Sequence, residues 1–103
     1  MTYTKASPEW RAIIAKNPDW FSSKTKGFWN SDVLWDTLTP VGNGEWLFLS
    51  LEDNFDRTQQ MYSVRLASTE DSHIDTLSFQ QTSDKHEALA MLYEHSFELG
   101  SRC

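Results

Sequence analysis

At 103 residues, 39% apolar and 14% aromatic with five Trp, the chain is too short to supply two hydrophobic cores and too aromatic to be disordered, so one domain over residues 1–103 is expected. A net charge of -6 and a pI near 4.8 argue against nucleic-acid backbones as partners and favour basic proteins. The single Cys, Cys103, forms no internal disulfide, the opening residues lack the apolar core of a signal peptide, and no stretch nears the ~20 apolar residues of a membrane span, so a cytoplasmic protein is the expectation.

Charge is unevenly spread. Residues 1–30 are net basic, with Lys5, Arg11, Lys16, Lys24 and Lys26 set against Glu9 and Asp19, and the remainder is strongly acidic. In chain order, Ser7-Pro8-Glu9-Trp10 reads as a helix start: Ser7 is placed to accept from a free backbone amide, Pro8 lacks one, and Glu9 meets the positive end of the dipole. Trp10, Ile13 and Ile14 follow at helical spacing, and Asn17, forced out of the helical region by Pro18, ends the helix. Residues 22–31 read as a loop that carries Phe28 and Trp29 beside Lys24 and Lys26. Trp20, Phe21, Phe28 and Trp29 either fold over one face of a sheet or form an exposed aromatic and basic surface. Packing is favoured, because large exposed apolar patches are uncommon on soluble monomers.

Asp32 to Pro40 is the first expected strand, with Val33 and Trp35 on one face and Leu34 and Leu38 on the other. Pro40 cannot donate to a ladder and marks a strand end or an edge. Gly42-Asn43-Gly44 supplies the left-handed conformations of a tight hairpin. The run that follows is apolar on both faces, Trp46 and Phe48 to one side and Leu47, Leu49 and Leu51 to the other, which fits a central strand covered twice. Met61 to Ala67 alternates, with Tyr62, Val64 and Leu66 inward and Ser63 and Arg65 outward. His73 to Gln81 is the fourth expected strand, with Leu77 and Phe79 on its apolar face.

Thr82-Ser83-Asp84 followed by Glu87 is a second helix start, with Ser83 or Asp84 as cap and Glu87 reaching back. Ala88, Leu89, Leu92, His95, Ser96 and Leu99 share one stripe, and Gly100 ends the helix. The expected fold is a two-layer α+β domain: a four-stranded antiparallel β-meander packed by a C-terminal helix, with an N-terminal helix.

No catalytic or cofactor motif stands out. His73, His86 and His95 lack the spacing of metal ligands on one helix face, Cys103 sits on a terminus with no base beside it, and the acids at Glu52, Asp53 and Asp56 lack the Gly of a calcium loop. No metal, cofactor or catalytic residue is therefore assigned. The reading that charge and size favour is a small acidic protein-binding inhibitor, such as an immunity protein that neutralises a basic nuclease-type toxin, with Glu52, Asp53, Phe55 and Asp56 as the partner-binding group. Glu70 and Asp71 form a second acidic turn, expected at the opposite end of the sheet. A phage or mobile-element anti-defence protein acting by protein binding or DNA mimicry is an alternative. A ligand-binding protein or enzyme that uses an aromatic surface of Trp29, Trp35 and Trp46 is another. The oligomeric state is open, since a second copy is an equally good cover for Trp35 and Trp46.

Overall fold

The structure, a computed structural model, describes residues 3–22, 32–53, 58–76 and 82–100. Helix α1 spans Pro8–Lys16, strands β1 to β4 span Asp32–Gly42, Glu45–Asp53, Gln60–Ser68 and Ile74–Thr76, and helix α2 spans Lys85–Gly100. The four strands form one antiparallel sheet in the order β1-β2-β3-β4, with a helix on each face. This is the expected α+β meander.

The two-faced character of β2 organises the packing. Leu47 and Leu49 join Val41, Val64 and Leu66 under Ala88 and Leu92 of α2, with Tyr62, Leu89 and Leu99 packed at the margin. Phe48 faces the other way, into a cluster with Val33, Leu38 and Ala67 that Trp10 and Ile13 of α1 cover. Trp46, Trp35, Trp20 and Phe21 pack around that second cluster. The helices are therefore held on by burial of opposite stripes of the same strands, the dominant favourable term in a fold of this kind.

Both helices start much as their residues dictate. In α1, Pro8 occupies the first turn and Glu9 is the acid there. Ser7, however, makes no side-chain cap; its hydroxyl accepts from the Thr4 amide at 2.9 Å and so shapes the turn before the helix instead. Asn17 closes α1 twice over, its backbone amide reaching the Ile13 and Ile14 carbonyls and its side-chain amide donating to Ile13 at 2.9 Å. In α2, Asp84 is the cap, its carboxylate accepting from the His86 amide at 2.9 Å. Glu87 reaches back through an intermediary: the Thr82 hydroxyl donates to it at 3.0 Å and accepts from the Asp84 amide at 3.1 Å. A bridge between Tyr62 and Thr82, with the Tyr62 amide 2.7 Å from the Thr82 carbonyl, ties this start to β3.

Two expectations about the strands need correction. The register of β1 on β2 jumps between Leu34 and Thr39, so a bulge separates the halves of β1. Leu38 therefore lands in the cluster under α1 and not on the Leu34 side, because extra residues in one strand break the period-2 rule. The Thr37 hydroxyl fills the gap in the ladder, accepting from the Leu49 amide at 2.9 Å and donating to the Leu34 carbonyl at 2.6 Å. Ser63 and Arg65, expected to face water, lie on the side of β3 that shares Phe48 with α1, and Ser63 is fully buried. Alternation identified their face correctly; the cover over it made that face interior. The fourth strand is described as Ile74–Thr76, and Leu77 and Phe79 fall outside the described residues.

The β1–β2 turn rests on left-handed residues, Asn43 at φ 58° and Gly44 at φ 72°. At Gly44 an added Cβ meets the Glu70 side chain at 3.0 Å. Gly44→Ala is therefore expected to destabilise the fold by about 1–2 kcal/mol through the left-handed conformation alone. The readout is the urea unfolding midpoint; a midpoint equal to that of the unaltered protein would contradict the strain.

Candidate functional site

Among the described residues, those singled out by sequence do not assemble into one surface. Glu52 turns inward and is 5% exposed. Its two carboxylate oxygens each accept from Arg65 Nη2 at 2.6 Å, and the Arg65 guanidinium lies 5.5 Å from the centre of the Trp20 ring. The pair bridges β2, β3 and the segment after α1, so Glu52 is an internal structural acid and is corrected from its expected place in a partner-binding group. Asp53 is half-buried at the end of β2. Phe55 and Asp56 lie outside the described residues.

The aromatic candidates resolve toward packing. Trp10 is fully buried, with Trp35, Phe48 and Phe21 edge-on around it at centroid distances of 4.8, 5.0 and 6.2 Å. Its indole N–H donates to the Trp35 carbonyl at 2.9 Å. Trp35 also stacks with Phe21 and carries the Lys5 ammonium over its ring, while Trp46 meets Tyr3 edge-on. Trp35 and Trp46 thus form the half-buried rim of the core under α1. Trp29 and Phe28 lie outside the described residues.

Acidic side chains gather at the end of the sheet formed by the β1–β2 and β3–β4 turns. Pairing of Glu45 with Ser68 and of Ala67 with Ile74 brings Glu45, Glu70, Asp71 and Asp75 to that end. Ser68 shapes the second turn by accepting from the Glu70 and Asp71 amides at 3.0 and 2.9 Å, and Thr69 donates to the Gly44 carbonyl across the two turns at 2.8 Å. The one ion-pair partner these acids have among the described residues is His73, whose Nε2 lies 3.7 Å from Glu45 and 4.0 Å from Asp75. Sequence inspection caught Glu70 and Asp71 but missed Glu45 and Asp75, because only strand register joins positions so far apart.

Beside these acids, a cleft of about 420 Å³ separates the end of α1 from the β3–β4 turn, with Asn17, Asp19 and Trp20 on one wall and Ser72, His73 and Ile74 on the other. The Ser72 hydroxyl donates to the Lys16 carbonyl. It ties the β3–β4 turn to the end of α1.

The outer face of α2 is the third distinctive surface. His86, Ala90, Tyr93 and Phe97 form an exposed stripe opposite Ala88 and Leu92. Tyr93 is 60% exposed and Phe97 82%. Glu87, Glu94 and Glu98, also exposed, run along one flank of it. Along the other flank, Tyr93 walls a groove of about 280 Å³ between α2 and the β1 bulge, which Tyr3, Asp36, Thr37, Lys85 and Leu89 also line. No helix among the described residues is long and apolar enough to cross a membrane.

No curated protein and no solved structure matches the chain. A family model matches residues 9–93, from the first turn of α1 through all four strands into α2, and the chain is accordingly a member of the family of unknown function DUF7447.

Proposed function

We propose that the protein is a small acidic binding protein that occupies a basic surface of another protein and blocks it, as an immunity protein does with a nuclease toxin. One observation carries this reading: Glu45, Glu70, Asp71 and Asp75 gather at one end of the sheet, and among the described residues no Lys or Arg lies within ion-pairing distance of any of them. Like charges held together in a fold cost self-repulsion, which a cationic partner relieves while the field speeds its approach. The net charge of -6 extends the same field over the body. A basic protein fits this surface, whereas a phosphate backbone is repelled.

The test is capture from a lysate of the native host at low and moderate salt, with the retained proteins identified by mass spectrometry. One basic protein is expected to be retained, with binding about tenfold weaker for Glu70→Lys combined with Asp71→Lys. Retention of nothing, or of a protein indifferent to these reversals, refutes the reading. Competition with duplex DNA then separates a partner bound through its nucleic-acid groove from one bound elsewhere.

A further inference from the structure

Acids alone steer a partner but contribute little affinity, since exposed ion pairs are weak and salt-screened. Tight complexes are centred on aromatic side chains that a partner desolvates. Among the described residues the large apolar side chains left exposed are Tyr93 and Phe97. They stand one helical turn apart on α2, so both rings point to the same side. Neither is needed by the core, which α2 reaches through Ala88 and Leu92 on its opposite face.

We infer that the outer face of α2 is a docking surface for a basic amphipathic segment of a partner protein, with Tyr93 and Phe97 as apolar anchors and Glu87, Glu94 and Glu98 as the matching charged edge. The inference rests on the binding reading above and assigns it a contact surface. Three features select this occupant. The acidic flank runs parallel to the aromatic stripe, so a segment with an apolar stripe beside a Lys or Arg stripe satisfies both at once, in the helix-in-groove mode of recognition. Ala90 sits between His86 and the two rings, and its small side chain leaves room for a large apolar residue to enter. The groove between Tyr93 and the β1 bulge, lined by Asp36, Thr37 and Lys85 as well as Leu89, lies on the side away from Glu87, Glu94 and Glu98 and offers a mixed polar and apolar recess beside the stripe. A membrane surface fits poorly, because anionic headgroups meet the same carboxylates. A second copy brings a further charge of -6 to the patch.

The probe is a synthetic helical peptide of Leu and Lys in an amphipathic pattern, with the same pattern in Leu and Glu as control. Titrated into the isotopically labelled protein, the Lys peptide is expected to shift backbone amide resonances of residues 86–98. Its affinity should fall about tenfold or more in Phe97→Ser and further in Tyr93→Ser combined with Phe97→Ser, since truncating central aromatic anchors typically has effects of this size. Both positions are exposed, and circular dichroism of the variants verifies that the fold is kept. Shifts that map instead to Glu45, Glu70, Asp71 and Asp75, with affinity unchanged by Phe97→Ser, overturn the docking surface and leave the acidic-binding reading standing. No binding, or equal binding of the Glu peptide, also overturns it, and lysate capture still decides the broader reading on its own. Shifts of the α2 resonances with protein concentration alone, with a dimer by sedimentation, identify a second copy as the occupant and refute the proposal.

Discussion

Glu52→Ala is expected to lower the stability of the fold by about 3–5 kcal/mol, the range found when one partner of a buried ion pair is removed. The carboxylate sits on the covered side of β2, 7% exposed as a side chain against 16% for Arg65, and receives Arg65 Nη2 at 2.6 Å on both oxygens. Deleting it leaves the guanidinium without its carboxylate in a poorly solvated place, beside the Trp20 ring 5.5 Å away. Arg65→Met should cost a comparable amount by stranding the acid. The double variant Glu52→Leu with Arg65→Met should recover most of the loss, because an apolar pair of similar volume avoids the desolvation cost of both charges. Urea unfolding followed by Trp fluorescence measures all three. If Glu52→Ala costs no more than the ~0.5 kcal/mol typical of surface changes, Glu52 is a surface acid after all and returns to the partner-binding group.

Trp10→Ala should be as damaging. Trp10 has no exposed surface, touches Phe21, Trp35 and Phe48 edge-on, and is the main link between α1 and the sheet. Its truncation combines lost transfer energy with an unfilled cavity, about 3–5 kcal/mol, a large part of the ~5–15 kcal/mol that holds a domain together. Trp10→Phe refills most of that volume but leaves the Trp35 carbonyl without the indole N–H that reaches it at 2.9 Å, at a cost of about 1–3 kcal/mol. Near-ultraviolet circular dichroism reports the ordering of the cluster, and urea midpoints give the energies. A near-native midpoint for Trp10→Ala would mean that α1 is dispensable for closing the second face.

Most of this architecture can be read from local patterns. A strand apolar on both sides demands two covers, and β2 announces this through Trp46 and Phe48 against Leu47 and Leu49. The hairpin at Gly42-Asn43-Gly44 and the Asp84 cap are likewise short-range features. What escapes such reading is whatever depends on register or on the identity of the cover. Leu38 changes face because of a bulge that no residue between Leu34 and Thr39 advertises. Arg65 and Glu52 look like solvent residues until α1 and Trp20 lie over them, and their mutual reach across strands is invisible in sequence. Glu45 and Asp75 become neighbours only through the ladders on either side of β3. Tyr93 and Phe97 are legible in principle, since on a helical wheel both fall outside the stripe that Ala88 and Leu92 bury; the apolar periodicity that marks the buried stripe does not extend to them.

A meander in which every ladder joins chain neighbours closes its sheet through short loops, so little entropy is spent before the first contacts repay it, and folding is fast for a β-containing domain. Synthesis imposes a different clock. The ribosome adds roughly 5–20 residues per second, and α2 follows all four strands in the chain. The β1–β2–β3 sheet can therefore form with α1 in place while its other face, Leu47, Leu49, Val64 and Leu66, waits on the order of seconds for α2 to be made. During that interval the nascent chain is half dressed, a sticky sheet face open to chaperones and to neighbouring chains.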